Sequence, residues 1–232
     1  MKPNPNLTPD MEASIKKMKA HQRRHRESPI NEAMRTFIDR LRGKHRLHLS
    51  KKKINRLQVE YPPDQHDYKP AIFSVEKREP TPTGFWWGIN GSWADWCLCA
   101  EFRGSEKYFY ELELDPKCLR VITTLKEFED FEEEFSCGPP WEQDERLAEL
   151  MRPFRRHRGL LRMDYIDWPA VAEQYAGVEI NPYLYQKRLE SHWYYGWDCA
   201  SGVLWDINVV KEFRLFAAYN SDSKRFERAK KS

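Results

Sequence analysis

Residues 107–114, Lys-Tyr-Phe-Tyr-Glu-Leu-Glu-Leu, alternate polar and apolar side chains in period two, the pattern of a strand buried on one face. An Asp115-Pro116 turn follows, and then a second β-prone run, residues 119–122, so two neighbouring strands are predicted. Further short runs at 71–75, 84–88, 178–180, 202–205 and 212–219, each bounded by turn residues, extend the same texture. Helices are interspersed. Thr123 or Thr124 caps an acidic helix over 125–135 that Gly138-Pro139-Pro140 ends, and Asp167-Trp168-Pro169 starts another that reaches Tyr175. Residues 141–163 are charge-rich and read as an exposed helix and loop. Strands and helices mixed in this way predict one α+β domain.

The first quarter of the chain has a different character. Residues 1–60 hold 16 Lys and Arg against 6 Asp and Glu, while residues 61–232 hold 23 against 30. Thr8-Pro9-Asp10 starts a helix over about 9–26, and Ser28-Pro29 starts a second. In the second, Ile30, Met34, Phe37, Ile38 and Leu41 fall on one face, and Gly43 ends it. A third short element runs from Ser50 to about Glu60 and is stopped by Pro62-Pro63, and the run from Tyr61 to Pro70 reads as a linker. The expected division is a basic helical arm with linker over 1–65, an α+β domain over 66–219 and a polar tail over 220–232. Such an arm is attracted to nucleic acid, to another polyanion through residues 11–56, or to the chain's own acidic part.

At 232 residues and 40% apolar content, 14% of the chain being aromatic, a core the size of one full domain is expected. No run approaches the roughly 20 apolar residues of a membrane span, and Met1-Lys2-Pro3-Asn4 lacks the apolar segment of a secretory signal. The expectation is a cytoplasmic protein with no membrane partner. Cys97, Cys99, Cys118, Cys137 and Cys199 are odd in number and irregular in spacing, which argues against a disulfide framework. Cys97-Leu-Cys99 has no second pair at zinc spacing, and the histidines at 21, 25, 45 and 48 lie among cations, so no metal is expected. Neither a G-x-S-x-G elbow nor a phosphate-cradling glycine loop occurs, which disfavours familiar hydrolases and kinases.

Residues 84–97, Gly-Phe-Trp-Trp-Gly-Ile-Asn-Gly-Ser-Trp-Ala-Asp-Trp-Cys, read as an aromatic strand, a Gly/Asn turn and the start of a helix. This segment resembles the strand, turn and helix of poly(ADP-ribose) polymerase-type ADP-ribosyltransferase domains. Three later segments follow in the order that the resemblance requires. Residues 108–122 are similar to that family's strand pair, residues 168–182 to its helix-and-strand unit, and residues 198–210 to its closing strand. The resemblance spans roughly residues 70–215 and implies an ADP-ribosyltransferase-like split β-sheet core.

By the same resemblance NAD would be the substrate, with a macromolecular acceptor. Trp86 and Trp96 would sandwich the nicotinamide, because a flat cationic ring binds well between aromatic faces. The family's catalytic glutamate falls on Ser201, which can hydrogen-bond a ribose hydroxyl but carries no charge. Asp198 and Glu179 are the candidates to supply that charge. Ser74 is the one polar side chain inside the first strand, and Tyr195 belongs to an aromatic stretch, residues 183–197, that would wall the cleft. Two other readings remain open: a non-catalytic nucleic-acid- or protein-binding module on the same fold, and a structural component of a larger assembly.

Overall fold

The computed structural model describes residues 13–14, 16–20, 23, 27–55, 82, 84–102, 106–137 and 165–230. Helix α1 (Pro29–Ile38) precedes strand β1 (Arg46–Ser50), and β2 (Phe85–Ile89) leads into α2 (Ser92–Cys99). Then come β3 (Tyr108–Leu114), β4 (Leu119–Ile122), α3 (Leu125–Phe135), β5 (Ser136–Cys137), β6 (Tyr165–Ile166), α4 (Trp168–Gln174) and β7 (Gly177–Ile180). A short helix α5 (Tyr185–Arg188) precedes β8 (Ser201–Leu204), and β9 (Val210–Asn220) and β10 (Arg225–Arg228) close the described chain.

Eight strands hydrogen-bond into one sheet in the order β10-β9-β3-β1-β2-β8-β7-β4, and β5 pairs with β6 separately. Every pairing in the large sheet is antiparallel except β4 with β7. The fold is therefore α+β, as the alternation of segments predicts.

The period of two divides the side chains between two faces. On the first face, Leu47, Phe109 and Ala217 pack with Ala33 and Met34 of α1 and with Ala94 and Leu98 of α2. Further along that face, Ile122, Val178, Ile180 and Val203 lie under Phe128, Phe131 and Phe135 of α3, Trp168 of α4, and the aromatic segment Trp193, Tyr194 and Trp197. Phe85, Trp87, Ile89, Leu112, Leu114, Leu119 and Leu204 occupy the other face.

Helix α3 shows how local sequence fixes packing. Thr124 accepts a hydrogen bond from the Glu127 N–H, and the Glu127 carboxylate accepts from the Thr124 N–H, a reciprocal cap that fixes where the helix starts. From that start Phe128, Phe131 and Phe135 recur on one side, and all three are buried.

The division into arm, domain and tail needs correction. β1 lies between β2 and β3, so residues expected to be an arm supply a central strand of the domain. Helix α1 is also part of the core, with Phe37 against Phe109 and Phe226 at 5.1 and 5.6 Å between ring centroids. The expected tail contains β10, whose Phe226 is buried beside α1. The element expected from Ser50 begins as the end of β1, and 51–55 are not helical. The strand expected at 71–75, with Ser74, the linker at 61–70 and the exposed segment 141–163 lie outside the described residues.

Candidate binding cleft

Between α2 and the loop that enters β8, the first face of the sheet is left open as a cleft of about 460 Å³. Its floor comes from three adjacent strands: Leu47 and Leu49 of β1, Trp86 and Gly88 of β2, and Ser201 of β8. Trp93 of α2 forms one wall, and Gly196, Trp197, Asp198 and Cys199 form the opposite one. A volume of this size is typical of small-molecule sites.

Local chemistry places both walls. Asn90 and Gly91 adopt positive φ, 52° and 78°, and turn the chain from β2 directly into α2. The Asn90 side chain accepts from the His45 N–H at 2.7 Å, tying that turn to the segment that leads into β1. A Cβ at Gly88 would come within 2.8 Å of the Trp93 backbone nitrogen, so the missing side chain lets α2 settle on the sheet. The carbonyl of Ala200 accepts from both the Ile89 N–H, at 2.9 Å, and the Ser92 hydroxyl, joining the α2 turn to the loop before β8.

The structure brings three of the sequence-predicted site residues to the cleft. Trp86 stands nearly edge-on to Trp197, with centroids 4.9 Å apart and planes at 67°. Ser201 is buried, and its hydroxyl donates to the Cys199 carbonyl at 3.0 Å. Asp198 pairs with Arg188 at 2.7 Å. Burial pushes the Asp198 carboxyl above its ordinary range, although Arg188 opposes the shift.

Trp96, Tyr195 and Glu179 are placed elsewhere. Trp96 stacks on the outer side of the wall, 5.0 Å from Trp93 at 14°, and Trp93 takes the cleft position expected for it. Tyr195 is 56% exposed, and the guanidinium of Arg188 lies 5.3 Å from its ring centroid. Glu179 pairs with Gly202, one residue beyond Ser201 on β8, so its side chain projects from the opposite face of the sheet.

There the Glu179 carboxylate is fully buried and fully engaged. Arg46 donates to it at 2.6 Å, Lys44 at 2.8 Å and the Trp87 indole at 3.2 Å. Burial opposes its charge, but Arg46 and Lys44 together outweigh that cost and hold the carboxyl below its ordinary range. Two cations expected to be part of a polyanion-binding arm are thereby committed to a buried partner inside the domain.

Sequence reasoning missed Trp93, Cys199, Leu47 and Leu49 as cleft residues. Trp93 and Trp96 are three apart on one helix, and spacing alone does not show which of the two meets the cleft. Burial pushes the Cys199 thiol up to about 11, so it stays protonated and a weak nucleophile at neutral pH. All five cysteines are free thiols. Among the described residues, no group of three or more His, Cys, Asp or Glu side chains is arranged to hold a metal ion, and no helix is long and apolar enough to cross a membrane.

The cleft thus offers aromatic faces for stacking, hydroxyl and backbone groups for hydrogen bonding, and one carboxylate already paired with a cation. No family model, curated protein or solved structure matches the chain.

Proposed function

We propose that the chain is an ADP-ribosyltransferase-like protein that binds NAD with its nicotinamide ring in the cleft between Trp86 and Trp93. One observation carries this reading: Trp86, Trp93, Asp198 and Ser201, drawn from segments more than a hundred residues apart, converge on a single cleft whose two sides are aromatic. Stacking of the cationic ring against those faces supplies affinity.

In this reading Ser201 hydrogen-bonds a ribose hydroxyl, and Asp198, once Arg188 moves aside, faces the positive charge that develops at the anomeric carbon. The C–N bond to nicotinamide breaks with its electron pair leaving on nicotinamide. An acceptor nucleophile forms the new bond at that carbon and loses its proton. Glu179 takes no part, because its carboxylate belongs to the other face. The exposed cations Lys16, Lys17, Lys19, Lys51, Lys52 and Lys53 are available to attract a macromolecular acceptor.

A second reading is favoured by the ion pair that Asp198 already makes with Arg188 and by the seclusion of Glu179. With no free carboxylate at the cleft among the described residues, the same fold would act as a non-catalytic module that holds a flat ring without cleaving it. Titration of the protein with NAD, followed by assay of the same samples for free nicotinamide, separates the two. Binding with turnover supports the transferase, binding alone supports the module, and no binding at millimolar NAD contradicts both.

A further inference from the structure

The sequence places its polyanion-attracting charge in one run, residues 11–56, and the structure breaks that run up. Lys44 and Arg46 turn inward to Glu179, whereas Lys51, Lys52 and Lys53 come to one end of the large sheet, beside cations from two distant segments. Backbone hydrogen bonds fix the juxtaposition. Lys107, just before β3, donates its N–H to the Ser50 carbonyl at 3.0 Å, and its own carbonyl accepts from the Tyr219 N–H at 2.8 Å. Tyr219 in turn pairs with Phe226, and Asn220 with Arg225, so the β9–β10 turn with Lys224 and Arg225 lies at the same end.

Local hydrogen bonds shape both cationic turns. The Ser50 hydroxyl donates to the Lys52 carbonyl at 2.7 Å and accepts from the Lys52 N–H at 3.2 Å, and the Ile54 N–H donates to the Tyr110 hydroxyl at 2.6 Å, so residues 51–53 form a loop clamped at each end. The Asn220 side-chain oxygen accepts from the N–H groups of Asp222 and Ser223 at 2.9 and 3.3 Å, and Lys224 takes a φ of 52° as the second turn closes. All six cations are exposed, and among the described residues none of them pairs with a carboxylate. The carboxylates of the same segments are fewer: Glu106 is buried, Glu227 accepts from Asn220 and Ser223, and Asp222 is exposed.

From Ser50 on β1 to Phe226 on β10 is three strand spacings, about 14 Å. One nucleic-acid strand carries about four phosphates over that length, at roughly one per 3.4 Å. Half-buried Tyr108 and Tyr219 lie between the two turns, an interleaving of cations and aromatic side chains that suits a single strand. We propose that this end of the sheet binds the phosphate backbone of a single-stranded nucleic acid, with residues 51–53, Lys107, Lys224 and Arg225 as its cations. The inference goes beyond the ring-binding reading of the cleft and does not depend on it, because none of the six cations borders that cleft.

Fluorescence anisotropy with a labelled oligothymidylate of about 12 nucleotides tests the surface. For wild type, log affinity should fall against log salt with a slope near −3, from about −0.7 per phosphate contact. The triple variant Lys51→Gln, Lys107→Gln, Lys224→Gln takes one cation from each segment and should bind roughly hundredfold more weakly at about 0.1 M salt, with a slope near −1. Its three side chains are exposed, so its urea midpoint should match that of wild type. The variant Lys16→Gln, Lys17→Gln, Lys19→Gln removes the same charge from the segment before α1 and should lose only a few fold, the share of long-range attraction. Equal losses in the two triple variants, or no binding by wild type, overturn the proposal. Binding to phosphatidylserine vesicles without binding to the oligonucleotide overturns it in favour of a membrane surface. NAD binding at the cleft stands or falls separately in each case.

Discussion

The indole N–H of Trp87 on β2 reaches the carboxylate of Glu179 on β7 at 3.2 Å, across the whole width of β8. It can do so because the residue between them in register is Gly202. A Cβ at Gly202 would meet the Trp87 ring at 2.3 Å, closer than any real contact allows. Gly202→Ala is therefore expected to displace the indole and lower stability by about 1–3 kcal/mol, the range for overpacking a core. A urea denaturation midpoint equal to that of wild type would contradict this account.

The same carboxylate sets an acid limit on stability. Its pKa is lowered in the folded protein, so its contribution is fully present above the ordinary glutamate pKa and is lost as pH falls through the lower folded value. Unfolding free energy should therefore decline below about pH 4, and Glu179→Gln should flatten that part of the profile. The variant should also be less stable at pH 7, because Arg46 would remain buried without its counter-charge. Urea titrations from pH 3 to 7 on the two proteins measure both effects.

Truncation distinguishes an arm from a domain. Deleting residues 1–28 removes nothing from the eight-stranded sheet and should leave a cooperative thermal transition. Deleting residues 1–50 removes α1 and the strand between β2 and β3, and should abolish folding. Circular dichroism on the two truncations reads the difference, and a cooperative transition in the shorter chain would contradict the central position of β1.

How legible this fold was depended on whether local pattern and tertiary role agreed. Residues 119–122 and 125–135 have the bounds expected, because a β-prone run after the Asp115-Pro116 turn and a Thr cap with three phenylalanines in the helix are local signals. β1 was lost for the opposite reason. Arg46-Leu-His-Leu-Ser50 does alternate, but it opens on an arginine and sits in a basic run, and only the buried Glu179, 133 residues away, makes that arginine fit inside a sheet. The cleft was half legible. Trp86, Asp198 and Ser201 were identified, but the choice between Trp93 and Trp96 depends on how α2 is rotated on the sheet, and that rotation follows from the approach that Gly88 permits.

The proposed function depends most on an aromatic ring being held between Trp86 and Trp93. The direct measurement is isothermal titration of NAD into wild type, Trp93→Ala and Trp96→Ala. Loss of one stacking face is worth about 1–3 kcal/mol, so Trp93→Ala should weaken binding by roughly ten- to hundredfold, with Trp96→Ala within a few fold of wild type. Equal losses in the two variants, or a larger loss in Trp96→Ala, would contradict the placement of the ring, and no heat of binding in wild type would contradict the cleft as an NAD site.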